Sequence, residues 1–144
     1  MSCEKNCMDK KTILKQDPES SYINFVGNVC HKEIIKYYHN SDAFIFASSC
    51  ENMPNILMEA MKSALPIASS FYGPMKEFLG ENAFYFDPLK VIEITNSLEE
   101  LILNENKRSI YIEKNQENIN RYTWESCANK TFNYLYSFKD NNKI

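Results

Sequence analysis

The sequence predicts an α/β fold: a Rossmann-like parallel sheet of about four strands, flanked by helices. Short, aromatic-rich runs such as Ala43-Phe44-Ile45-Phe46-Ala47 and Ala83-Phe84-Tyr85-Phe86 are too brief for helices and read as buried strands. Between them lie stretches with apolar residues at helical spacing, of which Ile56, Leu57, Ala60, Met61 and Ala64 are the clearest set. The connections are short. Strands and helices that alternate through short loops form right-handed βαβ units, and these require a parallel sheet.

Taken in order, residues 1–20 are polar, with only Ile13 and Leu14 as adjacent strong apolar residues, and read as a frayed helix or loose tail. Ile23-Asn24-Phe25-Val26 reads as a first strand, ended by a turn at Gly27-Asn28. A helix over His31 to His39 follows, with Ile34, Ile35 and Tyr38 as its apolar stripe, and Asn40-Ser41-Asp42 stops it. The Ala43–Ala47 run is the second strand, buried on both faces. Pro54 suits the first turn of the helix after it, where a missing N–H costs nothing. Leu65-Pro66-Ile67-Ala68-Ser69 is a third strand, Gly73-Pro74 opens a turn, and a small helix from Met75 to Leu79 ends at Gly80. After the Ala83–Phe86 strand, Asp87-Pro88 prepares a helix whose Val91, Ile94, Leu98, Leu101 and Ile102 share a face. Arg108 to Arg121 continues as a more exposed helix. Thr123 is placed to cap a last helix running to about Tyr136.

The chain has 144 residues, 44% of them hydrophobic and 13% aromatic, enough for one domain with a real core. A net charge of −3 and the absence of a basic cluster argue against a nucleic-acid or anionic-membrane surface as the main partner. No segment is long or apolar enough for a transmembrane span, and the N-terminus lacks a signal-peptide core, so the cytoplasm is the expected compartment. Five scattered cysteines, an odd number without a C-x-x-C pair, argue against a disulfide framework or a zinc site.

The chemistry concentrates in Ser48-Ser49-Cys50-Glu51-Asn52-Met53-Pro54-Asn55-Ile56-Leu57-Met58-Glu59. Two carboxylates bracket a strand-to-helix turn. In an open parallel sheet, the carboxyl end of a strand leading into a helix N-terminus is where ligands sit, because unpaired N–H groups there favour anions. Glu51 stands at that mouth. Alone, Glu51 and Glu59 would read as solvated helix-end charges. His31 and His39 read as surface residues, Trp124 as a packing anchor, and Tyr72 and Lys76 as equally balanced between ligand contact and plain exposure.

Glu51 and Glu59, with seven residues between them, match the E-x7-E motif of family 4 (group 1) glycosyltransferases. From about Ile23 to about Tyr136 the chain resembles the second half of their C-terminal, donor-binding domain in the two-domain GT-B architecture. Ala64-Leu65-Pro66-Ile67-Ala68-Ser69 is similar to the family's next strand, with Ala64 where a glycine is common. Gly73, Glu77, Gly80, Phe86-Asp87-Pro88 and the aromatic-x-Trp-Glu pattern of Tyr122-Thr123-Trp124-Glu125 follow in the family's order. Residues 23–138 are thus identified as a partial nucleotide-sugar-binding domain, between a poorly defined segment 1–22 and a tail 139–144.

The resemblance implies a glycosyltransferase that moves a sugar from a nucleoside-diphosphate sugar to a glycan or lipid acceptor with retention. Glu51 would hold hydroxyls of the donor sugar as the catalytic carboxylate, and Glu59 the ribose hydroxyls of the nucleotide. Asn52, Met53 and Asn55 would turn backbone N–H groups toward sugar and diphosphate, with Asn52-Met53-Pro54 replacing the commoner Gly-aromatic-Gly. No cofactor and no metal are implied: the sequence has no D-x-D pair, and departure of the nucleoside diphosphate in this architecture is metal-independent. The family's Arg and Lys that clamp the diphosphate have no counterpart in residues 1–22, and the acceptor domain has none either. The chain is therefore expected to need a missing half, with a separate chain as one source of it. The alternatives are a non-catalytic nucleotide-sugar-binding or interaction module, and an inactive remnant of a truncated enzyme. A peripheral position at the inner membrane face is the second expected location.

Overall fold

A computed structural model describes residue 12 and residues 15–141. The chain divides into two units, Met1–Ile34 and Ile35–Ile144.

In the first unit Asp17 organises its neighbours. Its buried carboxylate accepts from the backbone N–H groups of Ser21, Tyr22 and Ile23 at 3.0, 2.9 and 2.7 Å, and from the Ser21 hydroxyl at 2.9 Å. The Ser20 N–H closes the turn on the Asp17 carbonyl at 3.1 Å. Of the frayed helix or loose tail expected over residues 1–20, residues 12, 15 and 16 are helical, and 17–20 form this turn, where a short acidic side chain supplies the backbone's partners. Residues 1–11, 13 and 14 of that expectation lie outside the described residues. The strand expected over Ile23–Val26 is also corrected: the chain there has no strand ladder, and the Ile23 N–H goes to Asp17. Alternating apolar residues report fitness for a pleated surface, whereas a strand also needs a neighbour for its N–H and C=O groups.

The regular elements are α1 (His31–His39), β1 (Phe44–Phe46), α2 (Asn55–Lys62), β2 (Ile67–Ser70), α3 (Met75–Leu79), β3 (Phe84–Phe86), α4 (Val91–Leu103), α5 (Glu105–Ile119) and α6 (Trp124–Asn141). The strands form a parallel sheet in the order β1-β2-β3, with Phe44 opposite Ile67 and Ala68 opposite Phe84. The α/β class and parallel sheet are as expected, with three strands among the described residues in place of about four. Central β2 is buried throughout. Edge strand β1 is not buried on both faces, since Ile45 is 52% exposed while Phe46 on the opposite face is buried. Its aromatic composition signals burial, but the face that carries Ile45 is left uncovered.

Helix α4 lays Leu101 on Ala68, Phe84 and Phe86, with Ala43, Ile94, Leu98 and Tyr111 packed around them. The Ser97 hydroxyl, buried in the same face, donates to the Phe84 carbonyl at 2.9 Å. Val91 and Ile102 are exposed, contrary to the expected shared face. Ile102 is one residue, about 100° of helix, past Leu101, and Val91 is only the first helical residue. Helix α2 buries Leu57, Ala60 and Met61 completely and packs against α5, while Ile56 turns outward. α2 ends in a Schellman turn: Ala64, at φ 59, donates to the Met61 carbonyl at 3.2 Å and Leu65 to the Ala60 carbonyl at 3.3 Å.

Gly80 ends α3 with φ 57, as its position suggests. Asn104, whose side chain accepts from the Lys107 N–H at 3.0 Å, caps α5. Thr123 caps α6 through the Ser126 N–H at 3.1 Å, and the helix runs past Tyr136 to Asn141. Residues 142–144 lie outside the described residues. Trp124 is no packing anchor here: it is 89% exposed, on a helix that also exposes Phe132, Leu135 and Phe138.

Candidate functional site

Because the three strands are parallel, their carboxyl ends open on one edge of the sheet, which receives the turn before α2, the loop before α3 and the turn before α4. The first two are tied together. The Ser70 hydroxyl donates to the Ser48 carbonyl at 2.6 Å, and Gly73 lies against the backbone of Glu51.

Glu51 is half-buried, and its carboxylate has no hydrogen-bond or ion-pair partner among the described residues. Asn52 and Met53 follow on the exposed crest. Pro54 is the N-cap of α2, at φ −80 and ψ 80, one position earlier than the first-turn place expected for it. Its carbonyl accepts from the Leu57 and Met58 N–H groups at 3.0 and 3.3 Å. The Asn55 N–H turns back to the Met53 carbonyl at 3.0 Å. Asn55 is therefore occupied at its backbone, whereas the Asn52 and Met53 N–H groups have no partner among the described residues.

Glu59 lies about one helical turn beyond Asn55 on α2. Its Oε2 accepts from the Tyr38 hydroxyl at 3.0 Å, and the same hydroxyl lies 3.3 Å from the Ile56 carbonyl. Tyr38 is 7% exposed and its ring packs 5.9 Å from that of Phe44. Burial, and then the Glu59 carboxylate, push its phenol well above the usual tyrosine range.

On the β3 side, Asp87 Oδ1 accepts from the Leu89 N–H at 3.0 Å and from the Tyr72 hydroxyl at 3.1 Å. Lys90 Nζ lies 3.5 Å from Asp87 Oδ2 and 2.8 Å from Glu93 Oε1, and Glu93 Oε2 accepts the Asp87 N–H at 3.0 Å. The Leu89 N–H, helped by Tyr72 and Lys90 and opposed by burial, holds the Asp87 carboxyl below the usual range. The loop after β2 is thereby fixed to the turn after β3.

Glu51, Asn52 and Met53 share one turn, with Asn55 and Glu59 on the helix that follows. The sequence named Tyr38 for an apolar stripe and Asp87 for a strand end and the family pattern, and gave neither them nor Lys90 a role at the site. For Tyr38 the available signal was chemical: a tyrosine on an apolar stripe must find a partner for its hydroxyl. Lys76 points elsewhere, its Nζ 5.1 Å above the Tyr85 ring, and His31 and His39 are exposed. Among the described residues no group of three or more His, Cys, Asp or Glu side chains is arranged to hold a metal ion. No helix of the described residues is long and apolar enough to cross a membrane. A half-buried carboxylate without a partner, unpaired N–H groups and a second, held carboxylate suit a ligand with many hydroxyls and an anionic group.

Residues 10–118 match the family described as glycosyl transferases group 1. The sulfoquinovosyl transferase SQD2 of Arabidopsis thaliana is 26% identical over 118 residues, covering 78% of this chain and 23% of that protein. The alpha-monoglucosyldiacylglycerol synthase of Acholeplasma laidlawii is 30% identical over 116 residues, 79% of this chain and 25% of its own. The O-antigen chain mannosyltransferase B of Escherichia coli is 21% identical over 121 residues, 84% and 32% respectively. The chain thus spans between 23% and 32% of the length of these relatives.

Proposed function

Because the chain belongs to the group 1 glycosyltransferases, we propose that it forms the donor-binding part of a retaining enzyme that transfers a hexose from a nucleoside-diphosphate sugar to a glycan or lipid acceptor. The observation that carries this reading is the Glu51 turn at the carboxyl edge of the sheet, with an unpartnered carboxylate on one side and Glu59 one helix turn beyond Asn55, the first residue of α2.

In this reading Glu51 accepts hydrogen bonds from hydroxyls of the donor sugar and acts as the catalytic carboxylate, orienting the ring for departure of the diphosphate. Each such charge-assisted bond is worth roughly 1.5–3 kcal/mol. The Asn52 and Met53 N–H groups approach the sugar and diphosphate, and the α2 N-terminus adds its dipole. Glu59 accepts from the ribose hydroxyls. No metal or other cofactor has a role in this scheme, and a cationic clamp for the diphosphate comes from outside the residues named. A separate chain is one source for it, and the inner membrane face is a fitting place for a lipid acceptor.

The test is a two-dimensional amide NMR titration of the chain with uridine diphosphate and guanosine diphosphate sugars at millimolar concentration. Saturable shifts centred on Glu51 to Glu59 support the reading, and the better donor identifies the nucleotide. Shifts confined to other surfaces, or none with either donor, overturn it.

A further inference from the structure

We propose that Tyr38 is a positioning residue for the nucleotide end of this site: its buried hydroxyl holds the Glu59 carboxylate in the orientation that meets a ribose diol. This rests on the reading of Glu59 as the ribose contact. Tyr38 comes from α1, a different element from the E-x7-E turn, and its hydroxyl bridges Glu59 Oε2 at 3.0 Å and the Ile56 carbonyl at 3.3 Å. One phenol therefore touches both the first turn of α2 and the carboxylate further along it.

A glutamate on a helix surface has three side-chain torsions and samples many rotamers. A ribose diol is a bidentate partner and needs the carboxylate plane fixed. Tyr38 itself has little freedom: it is buried, and Phe44 packs against its ring. A tyrosine phenol is protonated at neutral pH in any case, and burial and the neighbouring carboxylate push it further that way, so it is a donor to Glu59. A rigid donor on an adjacent helix narrows the orientations open to a binding carboxylate.

Tyr38→Phe removes the hydroxyl and keeps the ring against Phe44. The first readout needs no ligand: the side-chain carboxyl carbon resonance of Glu59, which must move in Tyr38→Phe. The second is affinity, by NMR titration, for uridine or guanosine diphosphate and for the matching 2′,3′-dideoxy nucleotide. Tyr38→Phe is expected to weaken the ribonucleotide by about 5- to 10-fold, the equivalent of one hydrogen bond. The dideoxy nucleotide should be unaffected, and Tyr38→Phe should add nothing to Glu59→Gln.

An unmoved Glu59 resonance, or equal loss for ribo- and dideoxynucleotides, overturns the proposal and leaves Tyr38 as a packing residue. Sensitivity to Glu59→Gln without sensitivity to Tyr38→Phe overturns it on its own. Nucleotide affinity that ignores Glu59→Gln, or no saturable binding by the unsubstituted chain, overturns it through its premise, and a moved carboxyl resonance then shows that the premise is what failed.

Discussion

Gly73 stands directly against Glu51: a Cβ added at Gly73 would lie 3.6 Å from the Glu51 carbonyl oxygen and 3.8 Å from its amide nitrogen. The loop after β2 thus walls the turn that carries the principal candidate carboxylate. The wall is itself anchored, since Tyr72 beside Gly73 donates to Asp87 at 3.1 Å.

Gly73→Ala isolates the backbone requirement at this wall. The distances leave room for a methyl group, but φ is +60, where an L-residue costs roughly 1–2 kcal/mol. The substitution should lower unfolding stability by about 1 kcal/mol in denaturant titration and shift the Glu51 and Asn52 amide resonances. Unchanged resonances there would separate the loop from the site.

Ala64→Gly should do the opposite. Ala64 is the left-handed residue of the Schellman turn after α2, at φ 59, and glycine adopts that conformation without the Cβ conflict. A gain of about 0.5–1 kcal/mol is expected, smaller than the full strain because glycine also loosens the unfolded chain. Equilibrium denaturation measures it. No gain would mean that the turn already accommodates the methyl group.

Acid should release the Asp17 turn. Burial pushes that carboxyl up, but the N–H groups of Tyr22, Ile23 and Ser21 and the Ser21 hydroxyl outweigh it and bring the pKa from 3.8 to about 2. A depressed folded value means that the folded turn binds the proton less readily than the open chain. The stabilisation is therefore present above 3.8 and lost as the pH falls toward about 2. Amide exchange at Ser21, Tyr22 and Ile23, corrected for intrinsic rates, should accelerate in that window. Asp17→Asn should show the faster exchange at neutral pH as well, and a carboxyl titrating at its ordinary value would contradict the assignment.

Much of the fold was legible because its signals are local. Short apolar runs gave β1, β2 and β3, Gly80 gave the end of α3, and Thr123 gave the cap of α6. The misreadings have a common source in pairing and coverage, which depend on residues remote in sequence. Ile23–Val26 has the composition of a strand without a ladder, and Ile45 is apolar but sits on the uncovered face of an edge strand. At the site, the E-x7-E spacing located the turn and the helix. It carried no information about Tyr38, which reaches Glu59 across 21 residues of chain, nor about the Asp87 carboxylate that fastens the opposite loop.

The two glutamates should separate cleanly by ligand. Glu51 lies on the turn with its carboxylate unpartnered among the described residues, while Glu59 lies on α2 under the Tyr38 hydroxyl. A sugar nucleotide has both a sugar and a ribose to grip, whereas the bare nucleoside diphosphate has the ribose alone. Glu51→Ala should therefore weaken the sugar nucleotide by about 10-fold or more, the equivalent of one charge-assisted hydrogen bond, and leave the bare diphosphate unchanged. Glu59→Ala should weaken both by similar factors. The mutations should not disturb the core, because Leu57, Ala60 and Met61 rather than either glutamate fill the buried face of α2. Isothermal calorimetry or NMR titration of the two variants with both ligands gives four ratios. Equal effects of Glu51→Ala on the two ligands would remove the sugar from Glu51, and an effect of Glu59→Ala on the sugar nucleotide alone would exchange the two assignments.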